Sequence, residues 1–216
     1  MMKENPYFED TKQNYIKVEK IYKLGKAKHT STKYRFLAPA VKRQSEQYLY
    51  ETENPKRKYW KFNRGSLVFV EFGVNIGGEL SNNHWAIVLD KTDSPYKKTL
   101  TVIPITSKEN DSTIPLQEII GQQSLEFIDK EIAKLDRKIA DTTSSNEELR
   151  QTITNLKEVI NYYSKYLKQS FAKCDSLQTI SKDRILKKNP LDPVGKIKVS
   201  PETLDAINAK VKELYF

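Results

Sequence analysis

The chain has 216 residues, enough for one ordinary domain, or a small domain with additions, around a real hydrophobic core. Its formal charge of +9 favours an anionic partner such as nucleic acid or an acidic protein. Its single cysteine, Cys174, excludes an intramolecular disulfide and a cysteine-built metal site, and no apolar run is long enough to span a bilayer. With no apolar leader after Met1, the expectation is a cytoplasmic protein with no membrane partner.

The charge is unevenly placed. Between Met1 and Arg64 stand 16 Lys or Arg against 7 Asp or Glu, so the whole excess lies there and the remainder balances. Such a segment is either a solvated basic extension or an arm that contacts phosphates. Within it, Tyr15, Val18, Ile21 and Tyr22, and then Val41, Tyr48 and Leu49, predict two short helices. The basic and aromatic alternation from Asn54 to Arg64 is a linker or the lead into a strand.

Leu67 to Phe72 is β-branched and aromatic and stops at Gly73, which predicts a first strand. Gly77-Gly78 and Asn82-Asn83 bracket a loop, and Trp85 to Leu89, apolar throughout, predicts a second, buried strand. A polar connection, Asp93 to Lys98, leads to a third over Leu100 to Ile105. Short strands with brief turns argue for a small antiparallel barrel or sandwich.

The period then changes. Leu125, Ile128, Ile132, Leu135 and Ile139, then Leu149, Ile153, Leu156, Ile160, Tyr163 and Leu167, follow spacings of three and four, which are heptad seams. Ser145 and Glu148 form a capping box opening the second helix, so a helical hairpin is predicted, either an insertion packed within the chain or a coiled coil between chains. Ser170 to Ile180 alternates again, and the sheet is expected to resume there. Lys182 and Arg184 beyond it read as solvated. Ser200 and Pro201 supply an N-cap and a first-turn proline for an amphipathic terminal helix carrying Leu204, Ile207, Val211 and Leu214.

Several short motifs stand in order: Gly65-Ser-Leu-Val, Gly77-Gly-Glu79, His84-Trp-Ala-Ile-Val88, Ile103-Pro-Ile-Thr106, and Ser170 to Ile185 downstream. In that order and spacing the chain resembles the MazF/PemK family of type II ribonuclease toxins over about Arg64 to Leu116 and Phe171 to Leu214. The resemblance implies a mainly β fold with α additions. Its core would be an SH3-like small β-barrel of the MazF/PemK/CcdB kind, with an inserted antiparallel helical hairpin and a C-terminal helix. The implied organisation is a basic N-terminal extension over 1–63, a barrel over 64–121 and 169–216, and the inserted hairpin over 122–168.

The resemblance also implies an endoribonuclease (an mRNA interferase) that cuts single-stranded RNA without metal or other cofactor. Such a protein acts as a homodimer restrained by a cognate antitoxin protein. In that chemistry the ribose 2′-OH attacks the adjacent phosphate, so a base, an acid and donors to the phosphorane are needed. By register with the family motifs the catalytic candidates are His84, Thr106 and Glu79, with Arg64, Gly78, Trp85 and Ser107 as RNA-binding candidates. The chain departs from the family at His84, where the family has its catalytic arginine. Imidazole can act as base or acid but holds a phosphate less firmly, so the missing positive charge would come from Arg64, a lysine of the polar connection or the N-terminal region. Trp85 is either a core residue or a base-stacking one. Cys174 reads as a packed small residue rather than a nucleophile. Two other readings fit the same residues. One is a catalytically silent barrel that binds nucleic acid or protein, and the other is a topoisomerase-poisoning toxin of the same fold.

Overall fold

The structure, a computed structural model, describes residues 5–23, 32–118, 120–140 and 146–216. Two compact units emerge: one runs to Arg57 and takes in Glu71–Asn83, and the other holds Lys58–Val70 and His84–Phe216. Residues 58–63, expected in the extension, thus group with the sheet, and the loop after the first strand groups with the N-terminal helices. That N-terminal unit contains α1 (Pro6–Lys23) and α2 (Leu37–Glu53), 18 and 17 residues where short helices were expected. Neither helix buries a residue, and Phe8, Tyr48 and Leu49 are well exposed. Their amphipathic stripes are diluted by charged residues, which hid their length.

Among the described residues the sheet has six antiparallel strands: β1 (Leu67–Glu71), β2 (Asn83–Val88), β3 (Thr99–Thr106), β4 (Thr113–Pro115), β5 (Phe171–Lys173) and β6 (Gln178–Ser181). Strand β3 is its axis. One edge pairs with β2, Ala86 opposite Pro104 and Val88 opposite Val102. The other edge pairs with β6 over Thr99 to Val102, and then with β5 at Ile105 and Thr106. Pro104, which has no N–H to give, stands in the gap between those two partners, where a proline costs the ladder nothing. A 3-10 turn over Cys174–Ser176 takes up the extra residues between β5 and β6. The sheet curls back on itself: after β6, Ile185 bridges Val70 of β1, and the Leu67 N–H donates to the Ile197 carbonyl at 3.0 Å. Strand β4 was not foreseen, since three residues ending in proline carry no alternation to read.

Helices α3 (Ile120–Ala140) and α4 (Asn146–Tyr163) pack against each other within the chain. Ser145, the expected capping residue, lies outside the described residues. On α3 the expected seam is buried at Ile128 and Leu135 and half-buried at Leu125 and Ile132, while the Ile139 side chain lies outside the described ones. On α4 it is turned: Leu156, Val159 and Tyr163 are buried, while Ile153 and, just beyond the helix, Leu167 are exposed. The cause is aromatic. Tyr162 and Tyr163 of α4, and Tyr166 just after it, pack with Phe69 of β1 and Trp85 of β2, with ring centroids 4.9 to 6.4 Å apart and mostly edge to face. Such pairs are each worth about 0.5–1.5 kcal/mol beyond the area they bury, and here they fix which face of α4 meets the sheet. Gly121 is obligatory at the base of α3, because a Cβ there would lie 2.8 Å from the Tyr166 backbone. With five α-helices of 15 to 21 residues among the described residues, beside strands of three to eight, the fold is mixed α and β rather than mainly β.

Two buried polar contacts fasten this unit. The Tyr163 hydroxyl donates to both carboxylate oxygens of Asp192, at 2.8 and 2.9 Å, and Asp192 also accepts the Lys188 and Val194 N–H groups. Burial, then the Asp192 charge and hydrogen bond, push the Tyr163 hydroxyl far above its ordinary pKa. Lys182, expected to be solvated, is buried: its ammonium lies 2.6 and 2.8 Å from the Asp93 carboxylate and donates to the Trp60 and Ser94 carbonyls. Burial pushes the Asp93 carboxyl up, but the Lys182 bond and the Phe62 and Ser94 N–H groups outweigh it and hold the group below the ordinary carboxylate range. Finally, α5 (Pro201–Tyr215) begins as its sequence foretold, with the Ser200 Oγ accepting the Thr203 N–H at 3.2 Å.

Tyr163→Phe removes the only side-chain donor recorded for buried Asp192 among the described residues, and should lower unfolding stability by about 1–3 kcal/mol in urea melts. An unchanged midpoint would refute its fastening role. Asp93→Asn strips Lys182 of its counter-charge and should cost about 3–5 kcal/mol. Because Asp93 has a lowered folded pKa, its contribution is complete above the unfolded carboxylate value near pH ~4 and fades as pH falls through the folded value. The wild-type should therefore lose stability on acidification below that point more steeply than Asp93→Asn does. Parallel profiles would contradict this.

Candidate functional site

Strands β2 and β3 bring two of the sequence candidates to one margin of the sheet. The ladder is recorded as far as Ala86 opposite Pro104; carried two residues further along both strands, that register sets His84 opposite Thr106. Residues directly opposite in an antiparallel pair point to the same face, with Cβ atoms about 4.5–5.5 Å apart. Burial supports a margin here: β2 runs from exposed Asn83 and half-buried His84 into fully buried Trp85 to Val88, and β3 leaves the core at half-buried Thr106. Each strand thus brings its candidate to half-burial beside the buried core. The Thr106 Oγ1 accepts the Lys108 N–H at 3.1 Å, which ties the turn containing exposed Ser107 back onto the strand end. A hydroxyl accepting one bond keeps its own proton to donate.

Arg64 is occupied elsewhere. Its guanidinium donates to the Leu89 carbonyl and, at 2.7 Å, to Asn208 Oδ1 on α5, so it locks the entry of β1 against the end of β2 and the terminal helix. Trp85 is 2% exposed inside the aromatic cluster, which is the packing role left open for it. Cys174 is fully buried, and burial, with the Asp175 charge adding and Lys210 opposing, pushes its thiol up to about 11. It is protonated at neutral pH, and no nucleophile. Asp175 accepts from Lys173 at 2.6 Å and Ser112 at 2.8 Å; these bonds outweigh its partial burial and hold its pKa down, making it a structural acceptor.

Glu79 and Gly78 belong to the N-terminal unit, not to the one that holds His84 and Thr106. They sit exposed in a loop organised by Lys33, whose buried ammonium donates to the Asn75 and Gly77 carbonyls at 2.6 and 2.8 Å. Asn75 adds bonds to the Phe72 and Leu80 carbonyls. The glycine signal at 77 is real, with φ of +56° at Gly77, whereas a Cβ on Gly78 would meet nothing within 4 Å. Lys33 was not singled out from the sequence; a lone lysine between two helices has no pattern that announces a 42-residue reach.

Among the described residues no group of three or more His, Cys, Asp or Glu is placed to hold a metal ion, and no helix is long and apolar enough to cross a membrane. The stretch read as linker or lead-in carries a feature not anticipated: Trp60 stands 58% exposed with the Lys187 ammonium 3.9 Å above its ring.

No protein-family model and no curated protein matches the chain. Among solved structures, a crystal structure of MazF (Form-I) from Deinococcus radiodurans aligns over 72% of this chain and 96% of that one, with 13% identity and a TM-score of 0.39. At that identity and score the likeness assigns neither fold nor activity to this chain.

Proposed function

We propose that the chain is a toxin endoribonuclease of a type II toxin–antitoxin system, built on an SH3-like barrel of the MazF/PemK kind. It would act in the cytoplasm as a homodimer on single-stranded RNA, under restraint by a cognate antitoxin. The observation that supports this reading is the antiparallel pairing of β2 with β3, whose register, continued two residues beyond Ala86 and Pro104, would set His84 opposite Thr106. These two positions, picked out by motif register alone, are half-buried residues at the ends of two paired strands. The proposed chemistry suits them. His84 takes the proton of the ribose 2′-OH as the new P–O2′ bond forms, and Thr106 donates to the phosphorane oxygen. The P–O5′ bond then breaks, the 5′ oxygen leaves with the proton returned by the His84 imidazolium, and a 2′,3′-cyclic phosphate remains. Atoms and charge balance without metal or water in this step.

The arginine that the family uses is His84 here, and Arg64 is tied to Leu89 and Asn208, so cationic hold on the phosphate falls to other lysines. Glu79 remains a proposed orienting group and Ser107 a proposed second hydroxyl.

Purified protein incubated with a long RNA in EDTA should fragment it. His84→Ala should slow cleavage by about 10²-fold or more, and Thr106→Val by a smaller factor, with both variants keeping wild-type melting temperatures. RNA that stays intact at high protein concentration would sink the nuclease reading in favour of a silent binding barrel. Topoisomerase inhibition with intact RNA would favour a poison instead.

A further inference from the structure

Three segments of the sheet unit meet around the buried Lys182–Asp93 pair: the lead-in from Lys58, the connection before β3 and the exit from β6. Besides the ion pair itself, the Tyr59 N–H donates to the Pro95 carbonyl at 2.9 Å, and the Lys182 N–H to the Lys98 carbonyl at 2.9 Å. This internal clamp leaves two aromatic rings outside, Trp60 58% and Tyr96 73% exposed. Each has a lysine over it: Lys187 3.9 Å from the Trp60 centroid and Lys58 5.9 Å from that of Tyr96. Lys61 and Lys98 lie exposed beside them in the chain.

The carboxylates of the same region are turned to internal duties. Asp93 is sealed under Lys182, Asp90 holds Lys97, and Asp183 accepts from the Ser181 and Tyr59 hydroxyls. The outward face is therefore cationic as well as aromatic. Burial and the neighbouring Lys196 charge lower the Lys187 pKa, with the Asp192 charge opposing them. Lysines alone would suit any polyanion, including an acidic peptide or a duplex. Large exposed rings held by cations add something neither of those uses, a flat surface for an unstacked base.

We propose that Trp60 and Tyr96, ringed by Lys58, Lys61, Lys98 and Lys187, form a stacking platform that binds a single-stranded stretch of RNA. The choice of RNA rests on the nuclease reading above; binding of single strands does not. The platform lies by the start of β3, and Thr106 ends that strand, which spans about 23 Å at the rise of an extended chain. A strand bound here would be held on the sheet unit well before it reaches His84, giving affinity without base-specific contacts.

The test uses a fluorescein-labelled single-stranded DNA oligonucleotide, which has no 2′-OH and is not cut by this chemistry. Anisotropy titration of the whole protein should show binding that weakens with salt. Trp60→Ala should weaken it about five- to a hundredfold and Trp60→Phe only a few-fold, with melting temperatures unchanged because the ring is exposed. The chain has two tryptophans and Trp85 is buried, so quenching of native fluorescence on binding reports Trp60 directly. Equal affinity of Trp60→Ala and wild-type, equal affinity for duplex and single strand, or equal competition by polyglutamate would each overturn the platform. If the oligonucleotide binds as described while RNA stays intact, the platform stands and the nuclease reading falls. If RNA is cut with unchanged KM in Trp60→Ala, the reverse holds.

Discussion

Strand β3 is the constraint on which the rest of the sheet unit hangs. It alone pairs with three partners, β2 on one edge and β6 then β5 on the other. A central strand usually forbids proline; here Pro104 is admitted because it stands where the second edge changes hands. That exchange turns the sheet so that β6 can run on to meet β1 through Ile185 and Val70. The first residues of β3 follow the lysine-rich connection clamped by Asp93 and Lys182, and its last, Thr106, is half-buried beyond the core.

Around that strand, stability is divided between two kinds of contact with different sensitivities. The Phe69, Trp85 and tyrosine cluster is aromatic and mostly edge to face, and it fixes the rotation of α4 on the sheet. Tyr163–Asp192 and Lys182–Asp93 are polar and buried. Such contacts add little net energy when whole but cost heavily when halved, because the survivor is left without water or partner. The first ties the loop before α5 to α4, and the second ties the connection before β3 to the exit of β6.

What the sequence disclosed follows from the range of the interactions involved. The strands from Leu67, from Trp85 and from Leu100 were legible because β-branched runs bounded by glycine and asparagine are local signals, and Ser200-Pro201 marked the start of α5 for the same reason. The burial of Lys182 was not legible, since its partner stands 89 residues earlier and nothing near either residue indicates pairing. The turned seam of α4 was missed because Ile153 and Ile160 complete a heptad as well as Thr152 and Val159 do; the choice was made by tyrosines meeting rings on β1 and β2. Arg64 looked like a phosphate ligand by position and charge, yet its guanidinium is spent on Leu89 and Asn208. His84 and Thr106 were found by counting along motifs, and only strand register relates them in space.

That relation gives the functional account its sharpest consequence. An imidazole and a hydroxyl at one sheet margin, acting on RNA with the ribose as nucleophile, commit the product to one kind of end. The most direct measurement is mass spectrometry of the fragments made by the wild-type protein in EDTA. The account predicts upstream fragments ending in 2′,3′-cyclic phosphate and downstream fragments beginning with 5′-OH; fragments ending in 3′-OH and beginning with 5′-phosphate would contradict it.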